Sequence, residues 1–169
     1  GGIVPGSLIL LSGEPGIGKS TIIAQIADAI AKNKKNGDVI YVSGEESAAQ
    51  VKNRLIRLKC DIDNIKFIGE TNVEKITNTV RKEAPSLLII DSIQTVYSSM
   101  VESEAGGISQ IRASAVAFME LAKQNNIATV LIGHITKDGS LAGPKSLEHI
   151  VDTVLYLESE KTGHYRMLR

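Results

Sequence analysis

Apolar residues along the chain gather into five short unbroken runs, at 8–11, 39–42, 87–90, 129–132 and 154–157, each set off by turn-forming residues. A strand with one wet face would alternate apolar and polar positions. A continuous run instead predicts a strand buried on both faces, as in a parallel sheet covered by helices. Between the runs the period becomes helical. Ile23, Ile26, Ala27 and Ile30 recur at i, i+3, i+4 and i+7 and line one face of a helix. Val51, Leu55 and Leu58 mark a second helix, whose Lys52, Arg54, Arg57 and Lys59 are expected on a solvated face. Ile108, Ile111, Ala115, Phe118 and Ala122 mark a third, with Phe118 in the core. Parallel strands need long crossover connections, and a helix is the usual one. The expected fold is therefore α/β, a mostly parallel central sheet flanked by helices on both faces. Two Ser- and Gly-rich stretches, 98–107 and 136–146, lack either period and follow strand signals, on the edge where open α/β sheets bind ligands.

At 169 residues, against roughly 150 per domain, the chain is expected to form one domain, 1–169. Nineteen basic and nineteen acidic side chains give a formal charge of zero, which excludes a protein that grips nucleic acid through bulk charge. With 43% apolar and 22% charged residues it is not a disordered chain. One cysteine, Cys60, excludes an internal disulfide or a cysteine-based zinc cluster and suits a reducing cytoplasm. Neither a signal peptide nor an apolar run approaching the roughly 18 residues of a bilayer span is present, so a cytoplasmic protein without a membrane partner is expected. A start at Gly1-Gly2 without Met, and an end at Arg169 short of any turn signal, read as a piece of a longer chain.

The chemistry begins after the first strand. Gly13, Glu14, Pro15, Gly16, Ile17, Gly18, Lys19 and Ser20 match the GxxxxGKS phosphate loop, and Thr21 and a helix follow. Glycines let the backbone turn its N–H groups around phosphate oxygens, and the helix adds the positive end of its dipole. Lys19 would reach the β- and γ-phosphates of ATP or ADP, and the Ser20 hydroxyl would join the Mg²⁺ shell. The run 87–90 ends in Asp91, the pattern of a carboxylate that helps hold Mg²⁺; alone, it is also how a buried strand enters a turn. Hydrolysis further needs a group that orients water. Glu45 and Glu46 follow the second strand, and adjacent side chains of an extended segment point apart. Glu45 is expected as the catalytic carboxylate, with Glu46 in the first turn of the next helix. His134, at the tip of the fourth strand run, is either a γ-phosphate contact or a hydrogen-bonded strand end. His149 and His164 belong to no metal-spaced cluster.

With these motifs in place, the chain resembles the central ATPase domain of the bacterial RadA (Sms) family, RecA-like P-loop proteins of DNA repair and recombination. The likeness runs from Gly2-Ile3-Val4-Pro5-Gly6-Ser7 through the phosphate loop, and its most specific part is Gly133-His134-Ile135-Thr136-Lys137, Ala142-Gly143-Pro144-Lys145 and Leu147-Glu148-His149-Ile150-Val151-Asp152-Thr153-Val154. The resemblance implies a hexameric ring that binds ATP between subunits and moves along or remodels single-stranded or branched DNA, with the recombinase RecA as a further partner. It implies phosphate and Mg²⁺ contacts for Lys19, Ser20 and Asp91, catalysis by Glu45, and a sensor role for His134. It also makes 98–107 and 136–146 the loops lining the DNA channel. Glu102 and Glu104 speak against phosphate contact in the first, leaving Lys137 and Lys145 of the second as the DNA-binding residues. The family's zinc module, a Lys-Asn-Arg-Phe-Gly motif expected just past Arg169 and a protease-like domain lie outside these residues. The competing reading is a nucleotide-gated scaffold, similar to circadian-clock ATPases with paired glutamates after the second strand. A small-molecule kinase would need an arginine-rich lid, which the sequence lacks.

Overall fold

The strands are β1 (Leu8–Gly13), β2 (Val39–Ser43), β3 (Ile65–Ile68), β4 (Leu87–Asp91), β5 (Ala128–His134), β6 (Thr153–Ser159) and β7 (Arg166–Leu168) in the computed structural model, which describes residues 2–32, 38–60, 62–134, 144–160 and 165–169. They form one sheet in the order β3-β2-β4-β5-β1-β6-β7, parallel except for β7, which runs antiparallel to β6. The helices are α1 (Lys19–Ala31), α2 (Ala48–Arg57), α3 (Val73–Glu83), α4 (Ile108–Asn125) and the short α5 (Pro144–Leu147).

Alternate residues of each central strand feed two cores. Leu8, Leu10, Ile40, Val42, Leu88 and Ile90 pack with Ile76 and Val80 of α3 and Phe118 and Leu121 of α4. Ile9, Leu11, Val39, Tyr41, Leu87 and Ile89 pack with Ile23, Ala24 and Ala27 of α1 and Val51 and Leu55 of α2. Because both faces are covered, the interior positions of these strands are mostly apolar, with buried Ser12 and Thr129 as polar exceptions, which accounts for the apolar runs. No helix among the described residues is long and apolar enough to cross a membrane.

Several expectations change in detail. In α1 the buried stripe is Ile23, Ala24, Ala27 and Ala31, with Ile26 and Ile30 only partly buried, because small alanines bring the helix axis close to the sheet. Ile108, in the first turn of α4, is 50% exposed. The run 154–157 is not buried on both faces: in β6 only Leu157 is fully covered, since its outer neighbour β7 is itself an exposed edge. The end of the stretch 136–146 is helical, and Leu147 of α5 enters the core. β3 and α3 have no counterpart among the apolar runs and helical periods of the sequence. β3 is a half-exposed edge interrupted by Lys66, but α3 carries a legible cap: Asn72 accepts the N–H of Lys75 through Oδ1 at 2.9 Å, ahead of Ile76 and Val80.

Asp152 fastens β6 to β1. Its Oδ2 accepts the N–H of Leu8 at 2.8 Å, its own N–H donates to the Leu8 carbonyl at 2.9 Å, and Lys123 Nζ lies 2.7 Å from both carboxylate oxygens. The Leu8 N–H, followed by Lys123, holds its carboxyl below the usual range, and burial opposes this. A depressed folded value means that this stabilisation is full above the unfolded carboxyl value and disappears as pH falls through the folded one. Asp152→Asn is expected to lower stability at neutral pH by about 1 kcal/mol, less than a charged hydrogen bond usually contributes because solvent screens the site. Urea unfolding of both proteins should give curves that differ at pH 7 and converge in acid.

Candidate active site

Four strand ends supply the site. Sheet register sets Gly13 of β1 beside His134 of β5, and Ser43 of β2 beside Asp91 of β4. The sequence pattern stops each of these strands one or two residues early, because the chemically important residues are the polar ones that end them.

The phosphate loop is shaped by its glycines. Gly16 and Gly18 take φ values of 76° and 110°, which side chains disfavour. At Gly13 a Cβ would sit 2.5 Å from the Leu157 carbonyl oxygen of β6, so only glycine lets the strands lie this close. No side chain of the described residues caps α1, whose leading N–H groups are thus available to an anion. The Arg166 guanidinium of β7 also lies over the loop, with Nη1 3.0 Å from where a Cβ on Gly18 would stand. Lys19 is 3% exposed, and its Nζ donates to the carbonyls of Gly13 and Glu14 at 2.8 and 2.9 Å. Burial lowers its pKa, while the charges of Asp91 and Glu45 pull the other way. The cation is held inside the loop, facing two carboxylates.

Asp91 is 4% exposed, and burial pushes its carboxyl above the usual range. The Tyr41 hydroxyl donates to Oδ2 at 2.5 Å, and this bond, one to Ser20 and the charge of Arg54 oppose the rise, whereas Glu45 adds to it. The donors here are hard oxygens, and a buried carboxylate disfavoured by desolvation is what a divalent cation relieves. Among the described residues no three His, Cys, Asp or Glu side chains form a metal cluster. Few protein ligands, completed by phosphate and water, is the way Mg²⁺ is usually held, so Asp91 and Ser20 fit that ion.

Glu45 and Glu46 diverge. The Ser43 hydroxyl accepts the N–H groups of both, at 3.3 and 3.0 Å, and turns the chain after β2. Gly44 is wedged in this turn, where a Cβ would meet Thr95 Oγ1 at 2.7 Å. The Glu45 carboxylate accepts from the Ser92 hydroxyl and lies 3.1 Å from His134 Nε2. If Nε2 donates, Nδ1 is the bare nitrogen, and it is buried with no hydrogen-bond partner among the described residues. The Gln94 amide donates to the His134 carbonyl at 3.3 Å.

Glu46 is not in the first turn of α2. Ser47 is the cap, in a reciprocal capping box with Gln50, and Glu46 precedes it to pair with Arg54. Arg54 in turn leaves the expected solvated face: its side chain is 11% exposed and turned inward to Tyr41. Its neighbours Lys52, Arg57 and Lys59 are exposed as expected.

The stretch 98–107 is tied down by residues that sequence reasoning passes over. The buried Gln110 amide donates to the carbonyls of Ser98, Val101 and Ser103 at 3.1, 2.8 and 3.0 Å and accepts the Ser98 N–H at 2.8 Å. Glu74 accepts from Ser98 Oγ at 2.5 Å and from the Ser99 N–H at 3.1 Å. Met100 is left 84% exposed at the crest, with Glu102 and Glu104 exposed beside it. Lys145 falls in α5, while Lys137 and His164 lie outside the described residues. A separate cleft of about 540 Å³, lined by Ile3, Ile26 and Ala128 among others, opens at the opposite edge of the sheet and has no ionisable side chain among its described lining residues.

A parallel sheet whose first strand turns through such a loop into an uncapped helix, with a buried carboxylate two strands away, belongs to the P-loop nucleotide-binding class. A family model described as AAA domain matches residues 1–140, and the chain belongs to that family of ATPase domains. More particularly, the whole chain is homologous to proteins named DNA repair protein RadA. It is 50% identical over 169 residues to that of Aquifex aeolicus, 53% over 170 to that of Streptococcus pyogenes serotype M6, and 48% over 169 to that of Listeria monocytogenes. All of this chain is covered in each comparison, but only 36–37% of each relative, so it spans little more than a third of their length.

Proposed function

We propose that this chain is a single ATP-hydrolysing domain, 1–169, that drives movement on or remodelling of single-stranded or branched DNA during cytoplasmic repair and recombination. The observation that carries the reading is the meeting of Lys19, Asp91 and the Glu45–His134 pair on one sheet edge. The backbone of Gly13, Glu14, Pro15, Gly16, Ile17 and Gly18 cradles the phosphates of ATP or ADP, with Thr21 at the base of the cradle. Lys19 exchanges its two carbonyl contacts for phosphate oxygens. Ser20 and Asp91 hold Mg²⁺, which supplies charge neutralisation at the phosphates. Glu45 orients water and takes its proton. His134, bonded to the same carboxylate, registers whether the γ-phosphate is present.

The zero net charge requires DNA to be held locally, by Lys137 and Lys145 repeated around a homohexamer, with RecA as a partner in strand exchange. ATP turnover by the intact protein is expected to rise with single-stranded DNA; turnover indifferent to DNA at every salt concentration would favour a nucleotide-gated scaffold. Lys137→Ala and Lys145→Ala should each flatten the dependence of log affinity on log salt, by about 0.7 for every DNA phosphate that the substitution leaves without its lysine. Unchanged salt slopes would remove these lysines from the DNA interface.

A further inference from the structure

Behind Asp91 lies a chain of polar groups that the proposed reaction does not yet use. Tyr41 is fully buried in β2, yet its hydroxyl reaches Asp91 Oδ2 at 2.5 Å. Arg54, from α2, donates through Nη2 to the same Tyr41 oxygen at 2.9 Å and through Nη1 to Glu46. Its guanidinium carbon stands 5.7 Å from the centroid of the Tyr41 ring, and Nη2 is 3.9 Å from Asp91 Oδ2.

The direction of these bonds is dictated by chemistry. Arginine only donates, so the Tyr41 oxygen accepts from Arg54, and its single proton is left for Asp91. Glu46 fixes the far side of the guanidinium. One lone pair of Asp91 Oδ2 is thereby occupied from inside the sheet, which leaves the remaining lone pairs toward Ser20 and the phosphate loop.

We infer that Tyr41 and Arg54, anchored by Glu46, form a positioning relay that presents the Asp91 carboxylate to the nucleotide's divalent cation. The inference rests on the reading of Asp91 as a Mg²⁺ ligand and gives the paired glutamates separate tasks, with Glu45 facing the phosphates and Glu46 holding the relay. Neither Tyr41 nor Arg54 touches the nucleotide. Their effect is confined to the orientation and basicity of Asp91, as for other groups that hydrogen-bond to a metal ligand.

The test is the Mg²⁺ requirement for binding a fluorescent ADP analogue, measured on the intact protein as the Mg²⁺ concentration giving half the maximal tightening. Tyr41→Phe removes one oxygen and keeps the ring, and it is expected to raise that concentration by about 10-fold, the lower end for loss of such a partner. Analogue binding in EDTA should match the wild type. Arg54→Lys cannot donate to Glu46 and Tyr41 in the same fork, and it should shift the requirement in the same direction. It decides the matter if Tyr41→Phe does not fold. A merely structural role predicts lower melting temperatures with an unchanged Mg²⁺ requirement in both variants, and that result overturns the relay. No Mg²⁺ effect on the wild type would overturn the metal reading of Asp91, and the relay with it; a Mg²⁺-responsive wild type with indifferent variants overturns the relay alone.

Discussion

Lys19→Ala is expected to weaken binding of Mg²⁺-ATP by about 100-fold and to leave the fold intact. An ammonium bonded to phosphate oxygens contributes about 3 kcal/mol through charge-assisted hydrogen bonds, and a 1.4 kcal/mol change is tenfold in affinity. The loss has a second source. Lys19 is the cation on the phosphate-loop side that Asp91 and Glu45 both face, so its removal leaves only Arg54, 3.9 Å behind Asp91, to offset the repulsion between these carboxylates and an incoming triphosphate. Stability should change little, because the cost of desolvating the ammonium is removed together with its two bonds, one to the carbonyl of buried Gly13 and one to that of exposed Glu14. Calorimetric titration with a non-hydrolysable ATP analogue decides the point, and wild-type affinity in the variant would defeat the phosphate-loop reading.

Glu45→Gln should separate binding from turnover. Glutamine keeps the length and an oxygen able to accept from Ser92, so affinity for ATP is expected to stay within a few-fold of wild type. Turnover should fall by about 10²- to 10⁴-fold, the usual contribution of a positioned general base. Glu46→Gln gives the contrast. Its carboxylate is turned away to Arg54, so its loss should be felt mainly through the Mg²⁺ requirement. Single-turnover hydrolysis compares the two variants without interference from product release. If Glu46→Gln proved the inactive one and Glu45→Gln the active one, the assignments would have to be exchanged.

The two glutamates also show where sequence reasoning reaches and where it stops. Alternation along an extended segment is enough to expect that they point apart. It cannot say that Glu46 precedes the helix rather than joins it, because Ser47 and Gln50 close a capping box that takes the helix start for themselves. Arg54 is the sharper case. On a helical wheel it belongs with Lys52 and Arg57, but Tyr41 lies beneath α2, and a buried hydroxyl with an acidic neighbour draws the arginine inward. The stretch 98–107 lacks any period because its order comes from side chains of other segments, Gln110 and Glu74, rather than from its own backbone repeat. β3 escapes for a related reason: an edge strand half open to water has no need of an unbroken apolar run.

The features legible along the chain are those whose physics is local. Continuous apolar runs imply strands covered on both faces, and eight consecutive residues from Gly13 to Ser20 carry the phosphate-loop motif, since the glycines that bend the loop and the lysine that fills it are neighbours in the chain. The surroundings of the carboxylates, by contrast, come from the way the strands and helices pack. Asp91, Tyr41 and Arg54 sit on β4, β2 and α2, and Glu45, Ser92 and His134 follow or end three different strands. Their contacts depend on strand order and register, which bring together residues as many as 89 positions apart and which no local pattern encodes.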